Sequence, residues 1–138
     1  MTEEVKKESL FDIYQKEMDR DLLIDRINLE EVQLRLPALK GKWVARLMNS
    51  KKERDKLEKL YQDAIEQIGE KIKKESTIEI SKISAERQAE SHVLAKKIKN
   101  EIKDQEYIIE YLEKMEKVLS STTYDIKNLT ELIKLETA

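Results

Sequence analysis

Apolar residues recur along this chain at steps of three and four, the spacing that gathers them on one face of a helix. A short helix is expected from Ser9 to Arg20, with Leu10, Ile13, Tyr14 and Met18 on its apolar face and Ser9 and Asp12 spaced as a capping box. The run Leu22, Leu23 and Ile24 follows, bounded by Asp21 and Asp25. Asn28 and Glu31 form a second capping box, opening a short segment with Leu29, Val32 and Leu36. Pro37 then sits where the next helix would begin, because a proline's missing N–H has no intrahelical partner at the first helical position.

From Pro37 to about Lys74 the pattern predicts one long helix. Its stripe is Leu39, Trp43, Leu47, Leu57, Tyr61, Ala64, Ile68 and Ile72, interrupted at Ser50 and Arg54. Gly41 and Gly69 each weaken it by about 1 kcal/mol relative to alanine. Residues 75–84 carry Ser76, Thr77, Ile78, Ile80 and Ile83 and admit three readings: a turn or hinge over 76–84, a continuous helix, or a short strand. A second long helix is expected from Ala85 to Leu135. Its last half has an unbroken seam, Ile108, Leu112, Met115, Leu119, Thr122, Ile126, Leu129 and Ile133, with steps alternating four and three as on a left-handed coiled-coil face. Ile109, Tyr111, Val118 and Leu132 widen that stripe beyond what one neighbouring helix covers. Oligomerisation through the seam is the economical way to bury it.

Composition narrows the classes. Of 138 residues, 41% are charged, with two Gly, one Pro and no Cys. So few turn residues cannot serve a β-sandwich or barrel, which needs them every 8–12 positions, and no Gly-rich phosphate turn follows an apolar strand. The expected class is all-α, with short N-terminal helices followed by two long ones. No run of 18 apolar residues is present to span a membrane, and the charged start (Glu3, Glu4, Lys6, Lys7) does not read as a signal peptide. Lack of Cys removes disulfides and thiolate chemistry and fits an intracellular setting. His92 is the sole His, with no Cys or second His nearby, and no pocket-forming constellation or G-x-x-x-x-G-K-[ST] is visible. The chain therefore reads as a non-enzyme, without metal or cofactor.

Charge is unevenly spread although the net is only −2. Residues 1–35 hold six Lys/Arg against ten Asp/Glu, residues 36–75 eleven against seven, residues 76–104 six against five, and residues 105–138 four against seven. The basic excess thus lies on the first long helix, with Lys42, Arg46, Lys52, Lys56 and Lys59 on one broad face and Lys71, Lys73 and Lys74 at its end. A third cluster is Lys96, Lys97, Lys99 and Lys103. Two readings fit: a solvated face of ordinary i,i+4 pairs, or a surface that tracks phosphates. Trp43, next to Lys42 and one turn from Arg46, is placed either to stack on a base or to anchor the seam it shares with Leu39 and Leu47; packing is the simpler reading.

One set of residues goes further. Ile24-Asp25, Leu29, Lys42-Trp43 and Lys51-Lys52-Glu53 resemble, in order and spacing, the UvsY recombination mediators of T-even-like phages. So do Leu10-Phe11-Asp12-Ile13 and Asp21 before them, and Val93-Leu94, Ile126-Lys127 and Leu129 after them. Leu34-x-x-Pro37-x-Leu39-x-x-Lys42 is similar to the form in cyanophage relatives. The resemblance implies a homo-oligomeric ring, a hexamer or heptamer, acting in phage DNA recombination and repair in the cytoplasm of the infected host. It implies three partners: single-stranded DNA, the phage single-stranded-DNA-binding protein, and a RecA-like recombinase that is loaded onto the strand. The family's basic Lys-Ala-Arg-Leu element, linked to DNA binding, has no counterpart; Glu66-Gln67-Ile68-Gly69 stands there, and Lys71-Ile72-Lys73-Lys74 is the nearest basic run. Candidate nucleic-acid contacts are therefore Lys42, Arg46, Lys52, Lys56, Lys71, Lys73 and Lys74. Candidate oligomerisation residues are Ile108, Leu112, Met115, Leu119, Ile126, Leu129 and Ile133. The competing reading is a coiled-coil structural adaptor or chaperone that binds protein and never DNA.

Overall fold

A computed structural model describes residues 8–137, which hold four helices and no strand. These are α1 (Leu10–Asp21), α2 (Leu29–Glu75), α3 (Lys82–Ala89) and α4 (Val93–Thr137). The charged start Glu3, Glu4, Lys6 and Lys7 lies outside the described residues. The chain divides into two compact units: Met1–Leu47 with Glu110–Ala138, and Met48–Ile109.

In the first unit, Ser9 caps α1 by accepting from the Asp12 N–H at 3.2 Å. The inward face of α1 is Phe11, Tyr14 and Met18, with Met18 fully buried; Leu10 and Ile13, expected on that face, are each more than 40% exposed. Asn28 does not close a capping box. Its side chain turns back into the preceding loop, accepting from the Asp25 N–H at 2.8 Å and donating to the Leu23 carbonyl at 3.0 Å. Helix α2 starts at Leu29, so Pro37 lies inside it rather than at its first turn. An interior proline costs on the order of 3 kcal/mol, through one lost backbone bond and a clash with the preceding turn. Val32 and Leu36 offset this. Both are buried in a cluster with Ile126, against which Ile24 and Leu29 also pack, and burying each such side chain is worth about 1.5–3 kcal/mol.

The seam of α4 is filled largely from within the chain. Ile108, Leu112, Leu119, Thr122 and Ile126 are buried, and Met115, Leu129 and Ile133 are half-buried. Leu112 and Leu119 share with Trp43 and Leu47 the lining of a small cleft of about 90 Å³. Thr122 satisfies its hydroxyl on its own helix, donating to the Val118 carbonyl at 2.9 Å. These positions were expected to meet a second chain. A tethered stripe of similar length on α2 competes first, because it need not give up the translational freedom that association costs.

The second unit is built on small residues. Ile65, Ala89 and Ala95 form its buried cluster, with Tyr61, Ile68 and Ile72 packed against it. Ala85 and Gly69 are buried as well, and a Cβ on Gly69 would stand 3.2 Å from the Glu86 Cγ, so α3 approaches α2 closely there. The second long helix of the sequence reading is broken in two. Ser81 caps α3 by accepting from the Ser84 N–H, and the His92 Nδ1 accepts from the Leu94 N–H at 3.1 Å where α4 starts. Residues 76–81 are an irregular connection, with no strand. The interruptions foreseen at Ser50 and Arg54 do not interrupt: Ser50 is buried and Arg54 half-buried on the same stripe.

Gly41 has open space around its Cβ position, with no atom within 4 Å. Gly41→Ala should therefore raise stability by about 0.5–1 kcal/mol through helix propensity and reduced freedom of the unfolded chain. Urea unfolding followed by circular dichroism checks this, and a midpoint that falls would show a steric cost absent from the structure.

Candidate nucleic-acid interface

The seven basic candidates fall into two groups that differ in what surrounds them. Lys42 and Arg46 are one turn apart on α2, and both are drawn onto α1. Lys42 Nζ lies 2.5 Å from an Asp21 carboxylate oxygen and 3.0 Å from a Glu17 oxygen, and Arg46 pairs with the other oxygen of Glu17. Trp43 stands between them, buried, its indole N–H donating to Asp21 at 2.9 Å. Tyr14 meets that indole edge to face, with centroids 5.6 Å apart. The Arg46 guanidinium lies 4.7 Å from the Trp43 ring centroid and 5.0 Å from that of Tyr14, and Lys42 Nζ is 5.0 Å from the Trp43 centroid. A further aromatic pair, Phe11 with Tyr111 at 5.1 Å, ties the start of α1 to α4.

Helix α1 has twelve residues, a length at which an isolated helix is marginal in water. Its fold therefore depends on this docking. The ionic groups are between 15% and 31% exposed, so each pair contributes on the order of 1 kcal/mol at most, and the aromatic–cation contacts about 0.5–1 kcal/mol each. Burial of Met18 adds about 1.5–3 kcal/mol. As placed, Trp43 presents no open ring face for a base, and Lys42 and Arg46 have their charge answered inside the chain. Glu17 and Asp21, which answer it, were not among the candidates. Their signal was their spacing, since carboxylates four residues apart on the Tyr14 and Met18 side of α1 match cations four residues apart on α2.

Lys52, Lys56, Lys71, Lys73 and Lys74 are different. All are exposed, and none takes part in an ion pair among the described residues. They belong to the second unit. Lys56 and Lys74 each lie nine residues from the buried Ile65, about 180° around the helix, and so point away from the unit's core. Lys52, Lys56 and Lys59 follow at i, i+4 and i+7 along that outer line. Asp63 and Glu70 separate them from Lys74, and Lys56 to Lys74 covers about 27 Å of helix. Lys96, Lys97, Lys99 and Lys103 on α4 are exposed too. By unit, residues 1–47 with 110–138 hold thirteen Lys/Arg against sixteen Asp/Glu, and residues 48–109 fourteen against thirteen.

Among the described residues no group of three His, Cys, Asp or Glu side chains is arranged to hold a metal ion, and no helix is long and apolar enough to cross a membrane.

The family model described as "Recombination, repair and ssDNA binding protein UvsY" matches residues 17–138. Two crystal structures of the bacteriophage T4 recombination mediator protein UvsY are similar in fold. One, in lattice type IV, has a TM-score of 0.78 at 15% identity, covering 93% of this chain and 99% of that chain. The other, in lattice type II, has a TM-score of 0.74 at 16% identity, covering 96% and 100%. A search of curated proteins gave no match.

The surroundings of Glu17 carry a pH dependence. The Arg46 hydrogen bond holds its carboxyl below the ordinary carboxylate range; burial opposes this and Lys42 adds to it. A lowered folded value means that the stabilisation is present at neutral pH and is lost as acid takes the pH down through that lowered value. Emission of Trp43, the sole Trp, should therefore stay constant down to the ordinary glutamate value near about 4.3 and change only below it. Glu17→Gln should remove that step, and an acid transition unaltered in Glu17→Gln would assign it to other groups.

Proposed function

The chain belongs to the UvsY family, and from that membership and the disposition of its cations we propose that it is a recombination mediator that binds single-stranded DNA. The observation that carries the reading is two groups of exposed lysines with no ion-pair partner among the described residues, Lys52 and Lys56 along the outer line of α2 and Lys71, Lys73 and Lys74 at its end. Cations at helical spacing on an outward face contact backbone phosphates, and such contacts hold a strand without reading its sequence. Binding one strand with many weak cationic sites gains from repetition. A homo-oligomeric ring, hexamer or heptamer, would present the same lysines several times and convert weak contacts into avidity. Such a ring holds a flexible strand free of the phage single-stranded-DNA-binding protein and yields it to a RecA-like recombinase filament that holds it better. The chain works by binding, not by catalysis, in the cytoplasm of the infected host.

Subunits would meet through side chains still outward on α4. With Leu112, Leu119 and Ile126 enclosed in the chain, the apolar side chains left outward on α4 include Tyr124, Leu132 and Leu135. These are the residues we assign to subunit contact.

A fluorescent 30-mer of mixed sequence at about 50 mM salt tests the reading. Binding should weaken steeply with salt, with a slope of about −0.7 in log K against log salt for each phosphate neutralised. Lys71→Ala, Lys73→Ala and Lys74→Ala together should flatten that slope by up to about 2 per subunit without changing native mass. Lys42→Ala with Arg46→Ala should flatten it less. A flat titration by a fully helical protein would favour the protein-binding adaptor.

A further inference from the structure

Three groups that recognise nucleic acid in other settings are gathered under α1: a lysine, an arginine and an indole. Lys42 and Arg46 sit one turn apart, about 6 Å along the helix axis, which is near the spacing of successive phosphates in an extended strand. Trp43 lies between them and Tyr14 meets its ring edge to face. A cationic pair flanking an aromatic plane is the arrangement of sequence-tolerant single-strand sites, where phosphates pair with the cations and a base stacks on the ring. Here the phosphate positions are taken by carboxylates. Glu17 meets both Lys42 and Arg46, and Asp21 meets both Lys42 and the Trp43 N–H.

We propose that α1 is an internal competitor for the strand: Glu17 and Asp21 stand in for phosphates on a latent site made by Lys42, Trp43 and Arg46, which opens when α1 is displaced. The proposal rests on the reading of the chain as a single-strand binder, and adds to the exposed lysines a site closed at rest. Three features of the fold suit α1 to this. It is short enough that undocking and unfolding are one event. A seven-residue connection, 22–28, joins it to α2, so it leaves without disturbing the long helix. Its ion pairs are partly exposed, so a polyanion competes with them.

Two variants with the same change of charge separate this mechanism from a general reduction of negative charge. Glu17→Gln/Asp21→Asn removes the carboxylates that hold the site. Asp12→Asn/Asp19→Asn removes two exposed carboxylates of the same helix that make no ion pair among the described residues. Toward a 30-mer oligodeoxynucleotide the first variant should gain on the order of fivefold in affinity over the second, with a steeper salt slope. Lys42→Ala/Arg46→Ala, added to the first variant, should cancel the gain. In the parent chain, hydrogen–deuterium exchange should become faster over residues 10–21 when the oligonucleotide is added, a readout that requires no variant to fold. Equal gains in the two carboxylate variants, or α1 amides protected or unchanged on binding, overturn the proposal and leave the single-strand reading standing. Absence of binding by the parent and every variant overturns both.

Discussion

Glu17 and Asp21 lie one turn apart on α1, Lys42 and Arg46 one turn apart on α2, and the four charges close around the sole tryptophan. Much of what distinguishes this chain follows from that match. It gives a twelve-residue helix a reason to be helical, buries Trp43 as a packing residue, and withdraws two cations from the surface. The first unit is left with more acidic than basic groups. Lys52, Lys56, Lys71, Lys73 and Lys74 of the second unit face water without an ion-pair partner among the described residues, as do Arg20, Lys117, Lys127 and Lys134 of the first.

The remaining packing is a matter of how closely helices approach. In the second unit, Gly69, Ala85, Ala89 and Ala95 keep side-chain bulk out of the way of Ile65, so a small core suffices. In the first unit, Val32 and Leu36 bury enough apolar surface with Ile126 to carry α2 through Pro37. A proline that would end an isolated helix is outweighed by tertiary contact. Arg26 and Glu136 pair at 2.5 Å and join the loop before α2 to the end of α4; the hydrogen bond raises the arginine's pKa and lowers the carboxyl's.

The helical class and the long stripes were legible because a period of three and four is written directly in side-chain type. The family was legible from ordered residue pairs such as Lys42-Trp43 and Lys51-Lys52-Glu53. Partners were much less so. The stripe ending in Ile133 says that α4 needs cover, and says nothing about whether cover comes from a second chain or from α2. Lys42 and Lys56 are alike as sequence, each a lysine on a charged helix, yet one faces two carboxylates and the other faces water. The break between α3 and α4 was hidden for a similar reason. No proline or glycine marks it, only Ser91 and a His92 that caps the next helix with its ring nitrogen.

The division of the cations into committed and open sets is the claim on which the functional reading turns. Lysine reactivity in the bare protein, measured by limited acetylation and peptide mass spectrometry at neutral pH, tests it most directly. Lys42 should label markedly more slowly than Lys52, Lys56, Lys71, Lys73 and Lys74, because its ammonium is held between Glu17 and Asp21. Labelling of Lys42 as fast as that of Lys56 would contradict the account.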